Sequence, residues 1–122
     1  PTGRLVAGDW SAAGGHAHGV DLFRDDEVTA VFAANDQTAI GLLRAAHEHG
    51  RQVPGDLSVV GFDDTPESAF LVPPLTTVRQ DLREVGLRAV ELLLAHVGDE
   101  VEPQHVLVPP ELVVRESSAS PA

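Results

Sequence analysis

Three short apolar runs in this chain end in polar pairs: Asp9-Trp10, Asn35-Asp36 and Asp63-Asp64. A carboxylate accepts through two oxygens and a carboxamide both donates and accepts, so such residues can hold pairs of neighbouring hydroxyls. An indole supplies a flat apolar surface able to cover one face of a sugar ring. That set suits a neutral polyol or carbohydrate better than an anion, and Trp10, Asn35 and Asp63 are the candidate ligand contacts. Each also has a structural alternative. Asp36 is as good a helix cap as a ligand contact, Asp64 reads as a cap or turn residue, and Trp10 is compatible with a core position. Asp63 is the stronger case, because a carboxylate directly after a buried run needs a partner. A ligand hydroxyl is one candidate among backbone amides and arginines.

Other chemistries fit less well. His16/His18 and His47/His49 have a chelating look, but residues two apart on a helix point about 200° away from each other, so neither pair grips one metal ion. His47 and His49 instead suit the end of a helix, where positive charge is tolerated. Aspartates at strand ends also hold magnesium in phosphotransfer sites. Those sites usually recruit a lysine, and all 8 basic residues here are arginine. Neither a Gly-rich phosphate loop with lysine nor a serine in a Gly-x-Ser-x-Gly elbow is present. Catalysis is not expected, and no cofactor is implied.

The elements that must position these residues follow from periodicity. Residues 5–7 read as a short strand, and Ser11 is placed to cap a helix with Ala13, Ala17, Val20 and Phe23 along one face. Gly14 and Gly15 weaken that helix. Residues 29–33 are rich in strand formers and stop at Asn35-Asp36, where a helix begins with Ile40, Leu43 and Ala46 in its stripe and Gly50 at its end. A Pro54-Gly55-Asp56 turn leads into residues 57–62, whose near-continuous apolar run is expected of a strand covered on both faces. Strand, helix, strand, helix, strand in this order implies right-handed crossovers and a parallel, doubly wound α/β sheet. In such sheets ligands bind beyond the carboxyl ends of the strands, where the three polar pairs should converge.

Past Pro73-Pro74, residues 75–78 read as a strand, and Asp81 with Glu84 resembles a capping box. The long helix it opens carries Leu82, Val85, Ala89, Leu92, Leu93 and Val97 as a stripe and closes at Gly98. Residues 105–108 and 112–115 read as strands on either side of Pro109-Pro110, and residues 117–122 as a frayed tail.

A chain of 122 residues is enough for one compact domain with its own core. It contains no methionine, which points to a fragment, a processed form or a trimmed piece of a longer protein. Without cysteine, neither a disulfide framework nor a thiolate metal site is possible, and a cytoplasmic location is the default. No apolar stretch approaches the roughly 20 residues of a membrane span, and no membrane association is expected. The formal charge of −11 would repel DNA over most of the surface.

Five strings carry a resemblance. Gly8-Asp9-Trp10-Ser11, Val31-Phe32-Ala33-Ala34-Asn35-Asp36-Gln37, Leu57-Ser58-Val59-Val60-Gly61-Phe62-Asp63-Asp64, Pro73-Pro74-Leu75-Thr76-Thr77-Val78-Arg79-Gln80 and Pro110-Glu111-Leu112-Val113-Val114-Arg115 resemble, in order and spacing, the core of LacI/GalR transcriptional repressors. The resemblance implies a periplasmic-binding-protein-like (type I) fold whose two subdomains close on a sugar, joined to an N-terminal helix-turn-helix. Residues 1–81 would be the C-terminal subdomain. Residues 82–108 would be a crossover segment of the otherwise missing N-terminal subdomain, and 109–122 the return strand and tail. Family effector contacts match Trp10, Asn35 and Asp63. The dimer interface matches Ile40, Leu43 and Arg44 on the helix after Asn35, and Phe70, Leu71 and Val72 before the double proline. The resemblance further implies a homodimer, a small-molecule effector of sugar type, and operator DNA reached only through a head absent from this chain. A sugar-binding protein of an uptake system, with the same fold and cleft, is the alternative. The proline-rich string favours the repressor.

Overall fold

In a computed structural model of the chain, residues 3–97 and 105–120 are described. The elements are helix α1 (Ala12–Leu22), strand β1 (Ala30–Phe32), helix α2 (Asp36–Glu48), strand β2 (Ser58–Asp63), a 3₁₀ turn (Pro66–Phe70), strand β3 (Thr76–Arg79), helix α3 (Leu82–His96) and strand β4 (Glu111–Val113). The strands form one sheet in the order β1-β2-β3-β4. β1, β2 and β3 are parallel, as expected of a doubly wound sheet, while β4 joins β3 antiparallel and makes the sheet mixed.

Helix α2 packs on the sheet at β2, and α1 packs against α2. The core beneath them is Phe23, Ala33, Ala39, Leu42, Ala45, Ala46, Leu57, Val59 and Leu75. The expected α1 stripe is only partly right, since Ala13 and Ala17 are exposed and the buried face is Gly15, Gly19 and Phe23. Glycine explains the difference. A methyl group at Gly15 would overlap the Thr38 carbonyl, and one at Gly41 would overlap the backbone of α1 at Ala12 and His16. The two helices therefore touch backbone to backbone, and residues unfavourable to an isolated helix are what let this pair approach. Ser11 Oγ accepts from Gly14 N (2.9 Å) and starts α1 as expected. Gly50 (φ 69°) stops α2, with Arg51 N donating to Ala46 O and Gly50 N to His47 O.

The other sheet face is less covered than the apolar run of β2 suggests. Phe32 stands edge-on to Phe62, ring centroids 6.5 Å apart, and remains exposed. Three further expectations fail. Residues 5–7 and 105–108 form no strand, and Leu5 is exposed. The described part of the tail, residues 117–120, is not frayed. Ser117 is fully buried, its carbonyl accepts from Val59 N (2.8 Å), and its hydroxyl joins Thr76 N (2.7 Å) to Val59 O (2.6 Å). A buried backbone donor and acceptor at the start of two strands need partners, and a small serine supplies both.

Helix α3 starts as its capping box predicts, with Asp81 accepting from Glu84 N (2.9 Å). Of the expected stripe Leu92 is half-buried, while Leu82, Val85, Ala89, Leu93 and the following Val97 are exposed, as are Leu87, Val90 and Leu94. The expected stop at Gly98 lies outside the described residues.

Candidate functional site

The candidate site lies at the carboxyl ends of the parallel strands. Asp9 Oδ1 accepts from both the amide (3.0 Å) and the hydroxyl (2.7 Å) of Ser11, building a tight turn whose corner is Trp10. These bonds, the hydroxyl's first, hold the Asp9 carboxyl below the usual carboxylate range. Trp10 itself has φ 67° and is 65% exposed, so it is not core. Asn35 is buried and bonded at both ends of its amide. Its Oδ1 accepts from Thr38 N (2.9 Å) as the N-cap of α2, and its Nδ2 donates to the Trp10 carbonyl (2.9 Å). The cap of this helix is thus Asn35, and the same side chain ties the Trp10 turn to the end of β1. One amide hydrogen and one lone pair of Asn35 are left over.

Asp36 is neither of the things expected of it. Fully buried, it accepts from Thr65 N (2.9 Å) and Ser68 Oγ (2.5 Å) through Oδ2 and from Thr77 Oγ1 (2.6 Å) through Oδ1. It sits at the positive end of α2, which favours a negative charge there. A methyl at Gly61 would collide with this carboxylate, so glycine in the middle of β2 is what makes room for it. The hub pins α2, the loop after β2, and β3 to one another. The signal for it in sequence was a glycine inside a strand pattern, which marks a close approach.

Asp63 ends β2 with φ 111°, and Asp64 follows with φ 54°. Among the described residues, Trp10, Asp63 and Asp64 are the non-glycine residues with positive φ, and all three lie at this edge. Such backbone costs on the order of 1–3 kcal/mol each and clusters at functional sites. Partial burial and the nearby Asp36 carboxylate push the Asp63 carboxyl above its ordinary range, against a lowering hydrogen bond from Gln80. Asp64 has a different fate. Burial alone would raise its carboxyl, but the hydrogen bonds and charges of Arg115 and Arg79 outweigh that and lower it. Arg79 Nε and Arg115 Nη2 each lie 2.6 Å from one of its two oxygens. The turn-or-cap reading of Asp64 missed this pairing, because neither arginine is near it in sequence.

The edge therefore offers an exposed indole, a part-used carboxamide and a carboxylate with free lone pairs. No group of three or more His, Cys, Asp or Glu able to hold a metal occurs among the described residues. Of the residues named for association, Arg44, Phe70 and Val72 are exposed, whereas Ile40, Leu43 and Leu71 are half-buried, with Leu43 and Leu71 packed against the core. An open groove of about 450 Å³ lies beside them, lined by Leu43, His47, Gly50, Arg51, Gln52, Val53, Val72 and Pro73. It adjoins the C-terminal end of α2, away from the Asn35 end.

Comparison with known proteins bears on this geometry. Residues 1–118 match the periplasmic binding protein-like domain family. The lactose operon repressor of Escherichia coli K12 is 41% identical over 115 residues, 93% of this chain and 32% of the repressor. The chain belongs to the LacI/GalR family. A second relative is the HTH-type transcriptional regulator MalR of Streptomyces coelicolor, 47% identical over 112 residues, 91% of this chain and 32% of that protein. Among solved structures, a dimeric lac repressor with an 11-residue C-terminal deletion superposes with a TM-score of 0.84 at 40% identity, covering 94% of this chain and 43% of that one. A LacI-family regulator from Enterococcus faecium with bound ribose gives 0.82 at 33% identity, covering 94% and 43%. The family's α/β fold is thus the fold of this chain, which spans about a third of the length of its curated relatives. Those relatives are transcriptional regulators rather than enzymes.

Proposed function

We propose that this chain is the C-terminal half of the effector-binding core of a LacI-type transcriptional repressor, and that a sugar binds against Trp10, Asn35 and Asp63. The observation that carries the reading is the bond from the Asn35 amide to the Trp10 carbonyl. It holds an exposed indole beside the strand end where Asp63 keeps acceptor capacity. The sugar ring lies on the indole, and the spare Asn35 hydrogen and the Asp63 oxygens take its hydroxyls. Lac repressor and a ribose-bound regulator as structural neighbours support a sugar over other neutral ligands.

The exposed apolar face of α3 supports assigning residues 82–108 to the opposing subdomain, whose remaining part would cover it. Arg44, Phe70 and Val72, exposed on one side, are the patch for a two-fold dimer. Operator DNA is then contacted by a head outside this acidic chain, and an effector acts by preferring one subdomain arrangement over another. Among the described residues no helix is long and apolar enough to cross a membrane, and the proposed setting is the cytoplasm. The test is a titration of the intact regulator with a panel of mono- and disaccharides, reading Trp10 emission. At least one sugar should give a saturable change that Trp10→Phe removes. A panel that produces none, while other small metabolites do, would overturn the sugar assignment.

A further inference from the structure

The proposed cleft can respond to ligand only if the strand end carrying Asp63 is mechanically joined to the segment that moves. Residues 82–108 are covalently joined to the sheet at two places, the end of β3 and the start of β4. Strand register puts both in one row with the candidate ligand carboxylate: Asp63 pairs with Arg79, and Arg79 pairs with Glu111. Beside that row stands Asp64, its side chain only 8% exposed, with one oxygen 2.6 Å from Arg79 and the other 2.6 Å from Arg115. Arg79 also reaches Glu111 (3.5 Å), and Arg115 Nη1 donates to the Leu75 carbonyl (2.7 Å) at the foot of β3. No other described acidic side chain is held by two arginines in this way.

We propose that Asp64, gripped by Arg79 and Arg115, is a positioning residue that couples effector occupancy at Asp63 to movement of the two crossover strands. The inference rests on the effector-binding reading above. Asp63 and Asp64 are adjacent and both held at positive φ, so they share one strained turn. A displacement of Asp64 by a bound ligand pulls on β3 through Arg79 and, through Arg115, on the chain two residues beyond β4 at once. The bidentate use of both oxygens makes the link stiff, since charge-assisted bonds of this kind are short and directional. Both oxygens of Asp64 are engaged by arginines and its side chain is buried, which separates its role from that of Asp63.

The experiment compares Asp64→Asn, Arg79→Gln and Asp63→Ala in the intact, dimeric regulator. Two quantities are read on each: sugar affinity from Trp10 emission, and the ratio of operator affinities with and without saturating sugar. The first two variants should keep sugar affinity within about threefold while that ratio, roughly 5- to 150-fold for allosteric coupling in general, falls to about twofold. Asp63→Ala should lose sugar affinity itself. Arg79 is half-exposed, so Arg79→Gln keeps the test alive if Asp64→Asn does not fold. An unchanged operator ratio in Arg79→Gln overturns the coupling role. So does loss of sugar affinity in step with the ratio, which would place Asp64 in the ligand site. Failure of Asp63→Ala to affect sugar binding would instead strike the effector-site reading.

Discussion

Helices α2 and α3 are alike as sequences and opposite as structures. Each is amphipathic, each opens on a polar cap with the expected bond to the residue three ahead, and each carries a full apolar stripe. Yet α2 buries Ala39, Leu42, Ala45 and Ala46 completely or nearly so, and α3 leaves Leu93 and Leu94 65% and 67% exposed. Local propensity and capping determine that both are helices. Only the presence of a complementary surface decides which one is also part of a core. The glycines at Gly15 and Gly41 supply that surface for α2, whereas among the described residues α3 faces only the short segment of Val106 and Val108 and leaves most of its apolar side chains exposed.

The largest expected effect sharpens this contrast. Leu75→Ala, in the fully buried core, should destabilise the chain by about 2–5 kcal/mol, whereas Leu93→Ala should stay within about 0.5 kcal/mol. Urea unfolding of both variants checks it. An equal loss would mean that α3 is packed after all. Next, Gly41→Val forces a branched side chain into the backbone of α1, and overpacking of this kind costs roughly 1–3 kcal/mol. A neutral result by thermal melting would show that the helices are not in backbone contact. Third, amides of α3 should exchange with solvent faster than those of α2 in the isolated chain, since exposed helices open locally at little cost. Hydrogen exchange with equal protection in the two helices would break the comparison.

Much of the body was legible in sequence because its signals are local. β2 and β3 were found within one residue from apolar and β-branched runs, and the caps at Ser11 and Asp81 from the residue types that favour them. Long-range partnerships were not legible. Ser117, which repairs the starts of β2 and β3, looked like a frayed tail, and Asp36 looked like a cap because its three donors lie 29 to 41 residues away. Of the site, the three contact candidates were brought to one edge as the strand-end rule implies. Their support was hidden: the Asn35 to Trp10 bond and the Asp64 ion pairs join residues at least 15 apart.

The smallest expected effects concern pH. Asp64 has a folded-state carboxyl held low by its arginines, so it contributes stability that is present above the ordinary Asp value near 3.9 and is lost as pH falls through the folded value. Asp64→Asn should therefore flatten the acid limb of the stability profile below about pH 4, read by denaturation at a series of pH values. Asp63 behaves oppositely, its carboxyl being raised by burial and by Asp36. Sugar affinity that depends on ionised Asp63 should weaken as pH falls, with a midpoint above the ordinary carboxylate value. Asp36→Asn, whose amide can still serve the Thr65, Ser68 and Thr77 bonds, should move that midpoint down. A midpoint unmoved by Asp36→Asn would separate the two carboxylates.

The central claim is that Trp10, Asn35 and Asp63 form the sugar-gripping edge. Its most direct test is one titration of the intact regulator with its effector sugar, on Asn35→Ala and Asp63→Ala, with Trp10 emission and operator retardation read on the same samples. Leaving ligand hydroxyls without a buried partner costs roughly 1–3 kcal/mol, so affinity should fall about 5- to 150-fold in Asp63→Ala while operator binding without sugar persists. Asn35→Ala should weaken the sugar as well and release the Trp10 turn, changing the emission of the free protein. Unchanged sugar affinity in both variants would remove these residues from the site and contradict the account.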